Sequence, residues 1–307
     1  MIEDLVRVIN TFGSSKMKVR AALHQAYHHG VHRRFFEGRD LILKTHVGES
    51  IHLQDIGSQI LYNRAVTQIG IAAFRLGMIE DCHDILVDIQ SAPRLREILA
   101  QGISRQPDKP VELEKEEIKR QIPFHMHINL QLLECVYMLT AMLLEIPNIA
   151  ENQFLVNKKV VSKNFKKLIE QYDSKAFQLA PENYRDNIVY AAKQLNKSNW
   201  KQALEHIFMI KMLSKMDEFK SATFRETLIF RVKETALKSF LCRSSRTYDS
   251  FSIATLSELF ELPKPQILQL INRQIVKSKL QAHLDGNAEY LIMDVERVQN
   301  NEAQELQ

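Results

Sequence analysis

The sequence predicts a mostly α protein: a right-handed helical-repeat solenoid of the TPR or HEAT kind over residues 1–223, followed by a C-terminal winged-helix module over 224–295. Three observations carry this reading. Nine glycines and eight prolines are few for 307 residues, so helical periodicity runs with little interruption. A pairing of one large and one small residue recurs at helical pitch in three places. The last part of the chain then follows the order helix, helix, hairpin. Residues 296–307 read as a tail.

The recurring pattern is Phe35-x-x-Gly38-x-x-Leu41-Ile42, Ile79-x-x-Cys82-x-x-Ile85-Leu86, and Trp200-x-x-Ala203 with Ile207 one turn on. In each copy a small residue three after a large one lets two helices approach closely. Ala26, Ala72-Ala73 and Ala191-Ala192 upstream supply the facing surface. The first two copies are spaced as in helical solenoids and the third lies much further on, so the array is irregular. A non-repetitive helical bundle is the alternative that this pattern leaves open.

His24, His28 and His32 stand at i, i+4 and i+8 with His29 beside them, the one cluster that suggests a metal. A structural zinc site needs four ligands, and no cysteine or convergent acid is near, so packing or surface histidines are expected. Residues 105 to 120 read as a charged, solvated loop, with Pro107 and Pro110 followed by seven charged residues and little apolar content. Phe124 to Ile146 reads as a helix apolar nearly all round, which belongs in the interior of the stack. Its most apolar stretch, Cys135 to Leu144, closes at Glu145 and Pro147 and is too short to span a membrane.

Lys158, Lys159, Lys163, Lys166 and Lys167 follow, with Val160, Val161, Phe165 and Leu168 interleaved. As a helix this gives an apolar stripe and a basic face suited to phosphate contacts, or else a merely solvated surface. In the long helix from about Phe224, the residues Leu228, Ile229, Val232, Ala236, Leu237, Phe240 and Leu241 form a buried stripe. Ser252 caps a short helix, Pro263 and Pro265 open the next, and that one carries Ile267, Leu268, Leu270, Ile271 and Ile275 inward. In the hairpin Leu280, Ala282 and Leu284 face the core, which leaves His283, Tyr290 and Ile292 as candidates for an outward, partner-binding face. Its strand edge is the feature offered to a neighbour. The second winged-helix helix is basic at Lys264, Arg273, Lys277 and Lys279. With Gln266, Gln269 and Asn272 it supports a rival reading as a duplex-DNA reader.

The formal charge of +4 permits an acidic partner without demanding one. Cys82, Cys135 and Cys242 are odd in number and far apart, as expected of reduced thiols in the cytoplasm, not of a disulfide or zinc framework. Met1-Ile2-Glu3-Asp4 lacks the basic flank and apolar run of a secretory leader. No Gly-rich phosphate loop, G-x-S-x-G or H-E-x-x-H occurs, and Ser15-x-x-Lys18 stands without companion motifs, so neither an enzyme nor a cofactor is expected.

Ile122-Pro123-Phe124-His125-Met126-His127-Ile128-Asn129-Leu130-Gln131-Leu132-Leu133-Glu134-Cys135-Val136-Tyr137, continuing from Ala141 to Pro147, closely resembles the c-subunit family of eukaryotic translation initiation factor three. So do Tyr27-His28-His29, Gln59-Ile60-Leu61-Tyr62-Asn63-Arg64, Asp88-Ile89-Gln90-Ser91, Tyr248-Asp249-Ser250 and Leu256-Ser257-Glu258-Leu259-Phe260-Glu261-Leu262. The resemblance implies a PCI domain in a non-catalytic scaffold. Its partners would be other subunits of the initiation factor complex, especially a sister PCI subunit, and the small ribosomal subunit with its RNA. No membrane partner is expected. Lys158, Lys159, Lys163, Lys166, Lys167, Arg273 and Lys277 are then the candidate RNA contacts. Set against the family, the chain is expected to start near the PCI domain and to end where relatives often continue as a helical tail, so the functions of the family's long N-terminal part are not assumed. PCI scaffolds of other complexes, such as the proteasome lid and the signalosome, share this architecture.

Overall fold

A computed structural model of the chain describes residues 2–103, 110–152, 160–174, 180–245, 247–277 and 279–294. The candidates Lys158 and Lys159 and the tail 296–307 lie outside the described residues. Contacts divide the chain into two compact units, Met1–Thr140 and Ala141–Gln307.

The first unit holds α1 (Ile2–Phe12), α2 (Ser15–Val31), α3 (Phe35–Thr45), α4 (Val47–Ser50), α5 (Ile56–Arg75), α6 (Ile79–Ser91), α7 (Leu95–Ile98) and α8 (Val111–Arg120). The division falls inside α9 (Leu130–Glu151). The second unit continues with α10 (Lys163–Asp173), α11 (Tyr184–Asn196), α12 (Trp200–Phe208), α13 (Lys211–Ser214) and α14 (Ala222–Ser244). It ends in β1 (Ser250–Ser252), α15 (Ile253–Phe260), α16 (Lys264–Val276), β2 (Ala282–Leu284) and β3 (Tyr290–Met293). The boundary expected near residue 223 lies within this second unit.

Phe35, Ile79 and Trp200 each open the second helix of a helical hairpin, α2–α3, α5–α6 and α11–α12. All three hairpins turn the same corner. A residue with left-handed backbone, Arg33 (φ 64°), Gly77 (φ 72°) or Ser198 (φ 60°), sits two before the second helix. The next amide donates back five residues: Arg34 to His29 (2.9 Å), Met78 to Ala73 (3.0 Å) and Asn199 to Gln194 (3.0 Å). This closes the orphan carbonyls of the first helix and reverses the chain. The small residues then do what their spacing predicts. A Cβ on Gly38 would come 3.2 Å from Ile69 Cγ1, and Cys82 and Ala203 are wholly buried.

Three local expectations are corrected. The stretch read as a charged loop is helical from Val111 to Arg120: Glu112 and Glu114 lie in its first turn and Lys119 and Arg120 in its last, so its charges complement the helix dipole without any buried face. The apolar helix starts at Leu130, not Phe124, because the Asn129 side chain accepts from Gln131 N (3.1 Å) and Leu132 N (3.2 Å). It also runs through Pro147 to Glu151. Proline there cannot donate to the Leu143 carbonyl, and the Thr235 hydroxyl of α14 donates to that oxygen instead (3.4 Å). At this length α9 is apolar enough to cross a membrane, but it is mostly buried inside the fold.

The stripe expected on α14 is corrected both ways: Ile229 and Phe240 are only half-buried, and polar residues are buried that it did not include. Lys233, Glu234, Thr235 and Ser239 are buried along with Leu228, Val232, Ala236 and Leu237. Burial pushes the Glu234 carboxyl up, but Lys238 (2.8 Å) and Arg231 (2.8 Å) outweigh it and hold the group below the usual range.

The winged helix has a third strand that the sequence did not announce. The sheet order is β1-β3-β2, all antiparallel. Phe251, Ala282, Leu291 and Met293 turn inward as buried side chains. Phe240 of α14 meets Phe251 and Phe260 edge-on at 5.8 Å each, which seats the sheet on the long helix.

Candidate functional site

The basic helix α10 is held by a buried carboxylate. Glu145, near the end of α9, accepts from Val161 N (2.8 Å) and Ser162 N (3.0 Å) through one oxygen, while Asn148 donates to the other (3.3 Å). Ser162 then caps the helix, accepting from Phe165 N (3.3 Å). Phe165 and Tyr172 are buried, and Lys163, Lys166 and Lys167 all point into solvent.

Charge runs the wrong way along this helix. Lys163 takes the first position, with Lys166 and Lys167 one turn on, and Glu170 and Asp173 lie at the other end. Cations at a helix N-terminus oppose its dipole, so these lysines do not serve the helix. The exposed Lys166–Glu170 contact (3.8 Å) is too long and too solvated to stabilise much. What the lysines offer is a row of ammonium groups at i, i+3 and i+4, directed outward and able to meet phosphate oxygens.

In the winged helix, Arg273 and Lys277 are exposed one turn apart at the end of α16, and Gln266, Gln269 and Asn272 are exposed on the same helix. Lys279 is tied to Glu151 (3.2 Å). Register places His283 opposite Ile292 and Ile292 opposite Ser250, with Tyr290 opposite Ser252. These residues share the outer face of the sheet. Tyr290 is 48% exposed, Ile292 is half-buried, and His283 Nδ1 is bonded to Asp294 Oδ1 (2.8 Å). The edge strand of the hairpin is β2. β3, which carries Tyr290 and Ile292, is the central strand, so its backbone is already paired. Tyr290 and Ile292 are therefore offered through the face, and among the described residues β1 and β2 form the free edges.

Sequence reasoning missed the clamp that fixes the module. Trp200 was legible as the large residue of a repeat, yet its indole Nε1 also donates to the Leu259 carbonyl of α15 (3.1 Å). Lys233 Nζ lies 4.2 Å from the Trp200 ring centroid and donates to the Glu261 carbonyl (3.1 Å). Lys201 Nζ pairs with Glu261 Oε1 at 2.6 Å. That hydrogen bond holds the Glu261 carboxyl below its usual range. A lone tryptophan was the sole signal in the sequence, and it does not name its partners.

The other sequence candidates do not assemble into a reactive site. The His28 and His32 rings lie 4.2 Å apart and tilted to one another by 46°, while burial and the neighbouring His32 and His29 hold His28 below the usual imidazole range. Among the described residues no group of three His, Cys, Asp or Glu side chains is placed to hold a metal. Burial pushes the Cys135 thiol up to about 12 and the Cys242 thiol up to about 11, so neither is a nucleophile near neutral pH.

Comparison with known proteins accounts for both units. Residues 1–156, just over half of the chain, match the family described as eukaryotic translation initiation factor 3 subunit 8 N-terminus, and residues 210–295 match the PCI domain. The C subunit of eukaryotic translation initiation factor 3 from Danio rerio is 40% identical over 284 residues, 91% of this chain and 31% of that protein. Proteins of the same name from Culex quinquefasciatus and Drosophila grimshawi are each 39% identical over the same shares. The chain thus spans about a third of the length of these relatives. With the helical array, the winged helix and both matches in agreement, the chain belongs to the C-subunit family of eukaryotic translation initiation factor 3.

Proposed function

We propose that the protein is a non-catalytic, cytoplasmic scaffold subunit of a translation initiation factor complex, joining a sister PCI subunit to the small ribosomal subunit. The observation that carries this reading is the Trp200–Lys233–Glu261 clamp, which fixes the winged helix to the helices before it, while among the described residues the sheet's outer face keeps Tyr290 exposed and Ile292 half-buried. A rigidly presented face loses little conformational entropy on docking. In this reading His283, Tyr290 and Ile292 meet the sister subunit. The lysines of α10, with Lys158, Lys159, Arg273 and Lys277, meet ribosomal RNA through its phosphates.

The test is reconstitution with a sister PCI subunit and small ribosomal subunits. Tyr290→Glu with Ile292→Glu abolishes co-purification with the sister subunit while helicity is unchanged. Changing Lys158, Lys159, Lys163, Lys166 and Lys167 to glutamate weakens ribosome binding. Unchanged assembly in the first variant and unchanged ribosome binding in the second would reject the reading. The exposed Gln266, Gln269 and Asn272 beside Arg273 on α16 favour one alternative, a duplex-DNA reader, and sequence-specific binding to a DNA duplex would establish it.

A further inference from the structure

We infer that the turn at Phe124 is a pre-organised anchor for a folded protein partner with an apolar pocket. Phe124 opens a single 3-10 turn, Phe124–Met126, and its side chain is 87% exposed. An aromatic ring held in water at a loop tip usually marks a mobile loop. This loop is pinned along its length.

Its anchors come from buried or partly buried polar groups. The Arg64 guanidinium, 3% exposed, donates to the Met126 carbonyl at 2.6 Å and to the Leu99 carbonyl at 3.2 Å. Gln101 grips Ile128 on both sides: its amide donates to the Ile128 carbonyl (2.8 Å) and its oxygen accepts from Ile128 N (3.1 Å). Ile122 N donates to the Ala100 carbonyl (3.0 Å), and His127 Nε2 donates to the Ile122 carbonyl (2.8 Å). Burying an arginine is unfavourable unless its donors are satisfied, and here two of its bonds go to backbone carbonyls. The outcome of that arrangement is one backbone shape that lifts Phe124 away from the body, with Met126 46% exposed beside it.

Chemistry selects the class of partner. From Ile122 to His127 there is no lysine or arginine, and the helix leading into the turn carries Glu112, Glu114, Glu116 and Glu117 against Lys115, Lys119 and Arg120. A phosphate backbone would meet slight repulsion there, whereas a protein pocket lined by apolar side chains gains the whole ring. Rigid aromatic anchors entering desolvated pockets dominate protein interfaces for this reason. The inference rests on the scaffold reading in one respect: the partner is another protein subunit of the same complex, engaged apart from the winged helix.

The test places p-benzoylphenylalanine at position 124 of the full chain, co-expressed with the other subunits of its complex and assembled on small ribosomal subunits. The expected result is a crosslink to one protein subunit. Phe124→Ser should weaken that subunit's affinity by about 30-fold or more with Tm unchanged, and Phe124→Leu should restore most of it. Gln101→Ala, which loosens the turn but keeps the ring, should weaken affinity less. A crosslink confined to RNA, or affinity within about twofold of wild type for Phe124→Ser, would overturn the inference. If Phe124→Ser assembles normally while Tyr290→Glu with Ile292→Glu does not, the anchor fails and the scaffold reading stands. If Phe124→Ser loses its subunit while the sheet variant assembles, the anchor stands and docking through the sheet fails.

Discussion

The helices α8 and α10 are nearly equal in length, ten and eleven residues, and both are densely charged, yet their charges are arranged in opposite senses. In α8 the acids come first and the bases last, with Glu116 and Arg120 paired at 2.7 Å one turn apart. In α10 the lysines come first and the acids last. The first arrangement stabilises its own helix and explains why a segment with no buried residue is helical at all. The second works against its helix, which then depends on buried Phe165 and Tyr172 and on the carboxylate of Glu145. Charge that opposes local structure calls for a reason outside it, and the RNA contact proposed above is the one put to the test below.

The contrast can be broken most severely at Glu145. Glu145→Ala leaves the buried Ser162 amide and the part-buried Val161 amide without their acceptor, and should destabilise the second unit by about 2 kcal/mol, read by urea denaturation. Glu145→Gln keeps one acceptor and should lose less. Ser162→Ala removes the cap alone and should lower stability by about 1 kcal/mol in the same measurement. Replacing Lys163, Lys166 and Lys167 by glutamine should leave stability unchanged or raise it by about 0.5 kcal/mol, since three unfavourable dipole interactions disappear. Replacing Lys119 and Arg120 of α8 by glutamine should do the reverse: it should lower the helicity of that segment, a loss of about 0.5 kcal/mol followed by amide exchange, without touching ribosome binding.

Much of the fold was legible because it is written in local spacing. Phe35, Ile79 and Trp200 mark the starts of three second helices through a large residue followed three later by a small one, and both residues are needed wherever two helices meet closely. Ile267, Leu270 and Ile271 of α16 and Leu280 and Ala282 of the hairpin were legible for the same reason, while Leu268, Ile275 and Leu284 are only half-buried. What escaped lacks a periodic trace. β1 has three residues, Ser250–Ser252, too few to show alternation. The corners at Arg33 and Ser198 use left-handed backbone without the glycine that announces it at Gly77. Pro147 argued for a helix end, and only a hydroxyl from α14, far along the chain, makes its place inside α9 tolerable. Among the candidate contacts, the exposure of Lys163, Lys166 and Lys167 followed from the apolar stripe between them. The Glu145 bonds that hold them out, and the Trp200 clamp, join residues whose proximity only the tertiary structure creates.

The most direct measurement is the salt dependence of binding to the small ribosomal subunit, wild type against Lys163→Gln, Lys166→Gln, Lys167→Gln. Each phosphate contact removed should lower the slope of log affinity against log salt by about one, so the account predicts a slope shallower by about three with the fold intact. An unchanged slope would contradict it and would leave the reversed charges of α10 without a role in RNA binding.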